Sequence, residues 1–411
     1  MSSLNRIDKC SYWIATGGGV KVQSQISRMK AVVQKGFVAK GITSTSAASF
    51  TALALVEQPG MAGIEKAEWI WHTHITSASK IYRLRPSYHS MLFNLLENRP
   101  HSPFHDHPGG LREAAADCLT QVKHLGRSVW LLFGKIPATL LYLWLNTDVS
   151  LDEPIPHAKG RGIEKLRSHS GTFDWNSITP FLDISPLLTV LKPMFDYEKI
   201  IKSQIDWNIL AAREKDMHRV IFSNRDFCDM DAASLDQRKE IFETIFNYTV
   251  ASAALRNYFE HVWIRGEWYV DGGIVDPLPF REAFASGCKT IFVFWNPHRI
   301  ARRASVNISN NLKDAAEHIV LDDIYTSLYN YAKEKMYSAW REAKVRHVDF
   351  FITRPNSWHP EIDFLRISPE AIKYQDKDGI EVMKELFDNP DRHNLRLMSR
   401  NQLEEYLENE I

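Results

Sequence analysis

The stretch SYWIATGGGVK (residues 11–21) and its successor FVAKGITSTSAASFTALAL (residues 37–55) decide how this chain is read. In each, an apolar strand-like run meets a turn of small residues and then a helix-like segment. The first turn is Gly17-Gly18-Gly19-Val20-Lys21, after Tyr12-Trp13-Ile14-Ala15. The second is Ser44-Thr45-Ser46-Ala47-Ala48, opening into Phe50-Thr51-Ala52-Leu53-Ala54-Leu55. A serine on a tight strand-to-helix corner is where hydrolases place a nucleophile, because the hydroxyl projects from the sheet edge above a helix N-terminus. Further on, Tyr269-Val270-Asp271-Gly272-Gly273 sets a carboxylate at the end of another apolar run.

Working outward, strand-like runs recur at 10–16, 37–43, 205–212, 219–223, 290–295 and 348–352, separated by helix-length segments. That alternation predicts an α/β fold, a central mostly parallel sheet covered by helices. After the first turn, Ile26, Met29, Val32 and Val33 share one face of a helix over Gln25 to Val33. Residues 57–175 break the rhythm and are expected to form a helical insertion or cap within a catalytic unit of residues 1–300. Residues 301–411 are expected to be a mainly helical extension (Leu312 to Val320, Asp323 to Lys344) with one more strand, packed on the core.

Fifty acidic residues balance fifty basic ones in the 411-residue chain, and no run of Lys/Arg stands out. A broad footprint for nucleic acid is therefore not expected. Cys10, Cys118, Cys228 and Cys288 are scattered without a CxxC pair, and read as reduced core cysteines of an intracellular protein. Val129 to Leu145 is nearly apolar but carries Lys135 and Pro137 near its middle. A spanning helix needs about 20 apolar residues, so the segment reads as a buried or cap helix, with interfacial membrane contact through Trp130, Tyr142 and Trp144, or a true span, as the alternatives.

Consecutive glycines let backbone N–H groups converge on a phosphate or a developing oxyanion. The first turn fails as a dinucleotide fingerprint, because Val22 takes the third glycine position and Lys40-Gly41 stand where the next strand would end in an acid. It also lacks the Gly-Lys-Ser/Thr of a P-loop. Ser46 is the nucleophile candidate; the competing reading is a plain helix N-cap by Ser44 or Thr45. Asp271 is the proton-acceptor candidate, against an ordinary Asp-Gly turn between strands. His101, His105 and His107 lie in a Pro/Gly-rich loop with no HExxH, so no metal is expected, and His298, His318 or His359 would be needed for a triad.

Together the three segments resemble the patatin-like phospholipase family. The opening Gly17-Gly18-Gly19-Val20-Lys21, the turn Ser44-Thr45-Ser46-Ala47-Ala48 and Asp271-Gly272-Gly273-Ile274-Val275-Asp276-Pro277 follow the family's order. Asp183-Ile184-Ser185-Pro186-Leu187, Val250-Ala251-Ser252-Ala253-Ala254 and Cys288-Lys289-Thr290-Ile291-Phe292-Val293 are further echoes. The resemblance implies a serine lipid acyl hydrolase working without a cofactor through a Ser46–Asp271 dyad. It also implies an oxyanion held by the Gly17-Gly18-Gly19 loop with Ala47, and a phospholipid or other lipid ester as substrate. Lys21, Ser44, Ala48, Gly272 and Gly273 support these motifs. The expected location is cytoplasmic or membrane-peripheral, with contact through residues 129–145. Ser44 and Ala48 depart from the family's elbow glycines, and each added Cβ is expected to strain the turn. That departure motivates two rivals: a lipid- or partner-binding protein with little catalysis, and an acyltransferase.

Overall fold

The computed structural model describes residues 7–84, 182–227, 234–256, 258–296, 312–356 and 368–408. Their centre is an eight-stranded sheet. Strands β1 (Cys10–Ala15) and β2 (Val38–Thr45) pair in parallel, and β1 pairs in parallel on its other side with β9 (Thr290–Phe294). Beyond β9 lies β10 (Asp349–Thr353), also parallel. On the other flank β2 pairs in parallel with β5 (Asp206–Arg213), which carries β6 (His218–Ser223) and β8 (Glu267–Asp271) antiparallel. A short edge strand, β7 (Val262–Ile264), closes against β8. A separate ribbon joins β3 (Arg83–Leu84) to β4 (Leu182–Asp183).

The expected mostly parallel sheet is thus present, and its burial explains why its strands read as continuous apolar runs. Successive residues of a strand face opposite sides. Trp13, Ala15, Phe292, Phe294 and Phe351 belong to one buried cluster, whereas Tyr12, Ile14, Ile291, Val293, Phe350 and Ile352 belong to the other. Helices α1 (Gln23–Gln34), α2 (Ala48–Glu57), α3 (Met61–Thr73) and α7 (Leu235–Ala253) supply side chains to the first cluster. Helix α9 (Leu312–Arg346) supplies Ala332, Met336, Ala339 and Ala343 to the second. Both faces are covered, as parallel sheets require.

Two details differ from the sequence reading. The two helices expected after residue 312 are one helix of 35 residues, because Leu321-Asp322 between them carries no breaker. Of the two cysteines among the described residues, Cys10 is exposed at the start of β1 and Cys288 is buried, as expected of a core cysteine. Cys118, Cys228, the histidines at 101, 105 and 107, and the apolar segment 129–145 lie outside the described residues. Among the described residues no helix is long and apolar enough to cross a membrane.

The carboxyl ends of β9 and β10 are fastened to α1 by one buried cation. Arg28, wholly buried, donates from Nη1 to the carbonyls of Trp295 (3.1 Å) and Thr353 (2.6 Å), and from Nη2 to Asn296 Oδ1 (2.6 Å). Its Nε closes back on the Ser24 carbonyl at 3.0 Å. Substituting Arg28→Ala takes the Arg28 donor from the Trp295 carbonyl and leaves the buried Thr353 carbonyl and Asn296 Oδ1 with only the Trp295 N–H and the Ser24 hydroxyl. Urea unfolding should show about 3 kcal/mol lost, toward the upper end of what a point change does.

Candidate active site

Ser46 and Asp271 meet because β2 and β8 share one edge of β5. Thr45 at the end of β2 pairs with Leu210, and Asp271 at the end of β8 pairs with the next residue, Ala211. Since β2 runs with β5 and β8 runs against it, the two carboxyl ends face one another. Asp271 is 3% exposed; its carboxylate accepts from the Gly273 amide at 2.7 Å and has the Ser46 hydroxyl as its polar side-chain neighbour. Burial pushes the Asp271 carboxyl up to about 7, against the Ser46 hydroxyl and the Gly273 amide, which favour the ionised form.

The elbow itself is strained. Ser46 has φ of 58°, in the left-handed region that L-residues rarely occupy. Such a conformation costs on the order of 1–2 kcal/mol, and the tertiary structure holds it. The Ser46 N–H donates to Ser252 Oγ at 2.9 Å, from the last turn of α7. Ser44, which stands where such elbows usually carry glycine, is wholly buried. It accepts from Trp207 Nε1 at 2.9 Å and donates to Ser49 Oγ at 3.0 Å. Its side chain is therefore built into the packing. The N-cap reading of Ser44 and Thr45 does not hold: β2 continues through Thr45, and the cap of α2 is Ala47, without a side-chain cap hydrogen bond. The first turn of α2 carries no acidic residue, which leaves the positive end of that helix facing the elbow.

Beside this corner runs the glycine loop. Ala15 pairs with Ser44, so Gly17, two residues on, emerges level with Ser46. A Cβ on Gly17 would lie 2.5 Å from Ser46 Cβ, so no side chain fits there. Gly18 and Gly19 follow with φ of 150° and 57° and open a 3-10 turn, Gly19–Val22, in which Lys21 is buried. The first amides of such a turn have no partner within it. Gly272 is fixed in the same way, since a Cβ there would meet the Leu210 carbonyl oxygen at 2.4 Å.

A cleft opens over Ser46, lined by Gly19, Ala47, Phe50, Trp71, Tyr82 and Phe259, with Ile184 and Leu187 completing an almost wholly apolar wall. Apart from Ser46, every side chain in that wall is hydrocarbon, aromatic or glycine.

The structure thus gathers Gly17, Gly18, Gly19, Ser46, Ala47 and Asp271 at one corner of the sheet. His298 and His359 lie outside the described residues, and the side chain of His318 is not among those described. Sequence reasoning gave no role to Ser49, Ser252 or Trp207. Ser252 stood within a quoted segment, Val250-Ala251-Ser252, but 206 residues separate it from the serine it bonds.

No curated protein sequence matches this chain. Among solved structures, VipD from Legionella pneumophila is similar at 14% identity, over 95% of this chain and 70% of that chain, with a TM-score of 0.40. The type III effector protein ExoU is similar at 11% identity, over 93% of this chain and 53% of that chain, with a TM-score of 0.34. A family model described as patatin-like phospholipase matches residues 16–284, which hold both small-residue turns, Ser46 and the Asp-Gly-Gly segment, and on that match the chain belongs to the patatin-like phospholipase family.

Proposed function

We propose that the chain is a serine acyl hydrolase of lipid esters, of phospholipase A or lysophospholipase type, working through Ser46 and Asp271. The observation that carries this reading is a buried carboxylate set beside a serine on a strained elbow, the serine lining an apolar cleft. In the first half-reaction the Ser46 hydroxyl attacks the ester carbonyl and its proton passes to the Asp271 carboxylate. The amides of Gly18, Gly19 and Ala47 receive the oxyanion, aided by the N-terminus of α2. Collapse of the tetrahedral intermediate expels the alcohol, which takes the proton from Asp271 and leaves an acyl-Ser46 ester. Water then attacks with Asp271 again as base, and as the second tetrahedral intermediate collapses Ser46 Oγ takes that proton back from Asp271 and the carboxylic acid departs.

Two features support this assignment of roles. A general base works best with a pKa near the working pH, and burial pushes Asp271 to about 7. An acyl chain needs apolar surface, which the wall of Phe50, Trp71, Ile184, Leu187 and Phe259 offers directly above Ser46. Neither missing elbow glycine favours a catalytically silent lipid-binding protein, because Ser44 is bonded on both sides and Ala48 simply opens helix α2.

Ser46→Ala should abolish ester hydrolysis and fluorophosphonate labelling while the protein stays folded. Asp271→Asn should lower kcat by about 10⁴-fold, since the amide cannot accept the proton. The same Asp271→Asn change should match or raise the urea midpoint at pH 8. Ionising the buried carboxyl costs the native state stability as pH rises from 3.8 through about 7, and asparagine removes that cost. Hydrolysis by a folded Ser46→Ala variant would end the assignment.

On a soluble short-chain ester, kcat/KM should fall tenfold per pH unit below about 7 and level off above it, following the ionisation of Asp271. A profile that is flat between pH 5 and 8 would exclude Asp271 as the base.

Gly17→Ala should slow fluorophosphonate labelling of Ser46 by about 100-fold, because the added methyl displaces the nucleophile by a fraction of an ångström or more. Unchanged labelling would show that the loop yields and does not position Ser46.

A further inference from the structure

Under the elbow lies a chain of hydroxyl groups that the acyl-transfer steps do not use. Trp207 Nε1 donates to Ser44 Oγ (2.9 Å), Ser44 Oγ to Ser49 Oγ (3.0 Å), Ser49 Oγ to Ser252 Oγ (3.2 Å), and Ser252 Oγ to the Leu210 carbonyl (2.6 Å). An indole N–H only donates and a carbonyl oxygen only accepts, so the two ends fix the direction of every bond between them. The proton of Ser252 is committed to Leu210, and its oxygen can then only accept. It accepts from Ser49 Oγ and from the backbone N–H of Ser46 at 2.9 Å. Ser44, Ser49 and Ser252 are all fully buried, so no solvent molecule can substitute for a lost member without entering the core.

Both ends of this chain sit on β5. Leu210, which receives the Ser252 proton, pairs with Thr45, and the next residue pairs with Asp271. The peptide plane of Ser46 is therefore tied to the strand that also sets the position of the carboxylate. Resting on the reading of Ser46 as nucleophile, we propose that Ser252 is a positioning residue for the reaction. Its hydroxyl holds the Ser46 amide in the left-handed conformation that keeps the Ser46 hydroxyl on Asp271. Ser252 touches neither substrate nor the reacting atoms; it acts through the nucleophile's backbone.

The test uses the full chain and p-nitrophenyl butyrate, an ester small enough to report chemistry at Ser46. Ser252→Ala should lower kcat by about 100-fold while KM stays within about twofold, since only the reacting geometry is disturbed. Ser252→Thr, which keeps the hydroxyl, should recover most of that kcat. Thr249→Val removes another fully buried hydroxyl of α7, one that bonds the Ile245 carbonyl away from the elbow, and should leave kcat unchanged. Where Ser252→Ala does not fold, Ser252→Thr and Ser252→Val, alike in shape, decide the matter by the difference in their kcat. Parental kcat in Ser252→Ala, or equal kcat losses in Ser252→Ala and Thr249→Val, would overturn the positioning role. Ser46→Ala is measured beside them: an inactive Ser46→Ala with a fully active Ser252→Ala removes this inference alone, whereas an active Ser46→Ala removes the reading on which it rests.

Discussion

One edge of β5 receives two strand ends head-on, and the rest of the site depends on it. Thr45 occupies the rung at Leu210 and Asp271 the rung at Ala211, so neither β2 nor β8 can extend by another residue. Each chain has to leave the sheet at that point, and each does so through backbone that an ordinary residue tolerates poorly. On one side Ser46 takes a left-handed conformation; on the other Gly272 passes so close to the Leu210 carbonyl that no Cβ fits. The elbow and the Asp-Gly-Gly turn, read from sequence as separate motifs, are thus two consequences of one steric constraint. The constraint also fixes their mutual distance, because adjacent residues of a strand are a fixed step apart.

Burial at this junction acts on the acid in opposite directions. Desolvation raises the proton affinity of Asp271, while the Ser46 hydroxyl and the Gly273 amide lower it. The first effect wins, and the carboxyl comes to rest near neutrality. An exposed aspartate titrates near 4 and would be too weak a base to draw a proton from a serine. The same dry surroundings strengthen every dipole that faces the elbow, including the open amides of the glycine loop and the N-terminus of α2. In the proposed reaction, the apolar cleft would serve the chemistry as well as the acyl chain.

Much of this was legible in the sequence, and the part that was not has a physical reason. Strands β1, β9 and β10 announce themselves because both faces are buried and most residues are apolar. Ser46 and Asp271 are legible because tight turns restrict residue choice locally. By contrast, β7 has three residues, and its turn to β8 uses Arg265 and Gly266 with φ of 49° and 89°. Arginine gives no signal of a turn that usually carries Asn-Gly. The cap of α2 misled for a related reason: Ser44 and Thr45 have capping side chains, but pairing with Ile209 and Leu210 keeps them in the strand. The support from Ser252 is a contact across the fold, and no local pattern encodes it.

Ser44 shows how a departure from a motif becomes intelligible once its partners are known. In isolation a serine at an elbow position adds a Cβ and a polar group to a crowded turn, and both count against it. Here the hydroxyl is the link between a donor-only indole on β5 and the hydroxyls of Ser49 and Ser252. Glycine at 44 would leave Trp207 Nε1 buried without an acceptor and would free the orientation of Ser49. A buried unpaired donor costs about 1–3 kcal/mol, comparable to the strain stored in Ser46 itself. The chain has therefore exchanged the room a glycine provides for a directed hydrogen-bond path that runs from β5, under Ser46, and back to β5. In that arrangement Trp207 and Ser44 belong together, and either one is unfavourable without the other.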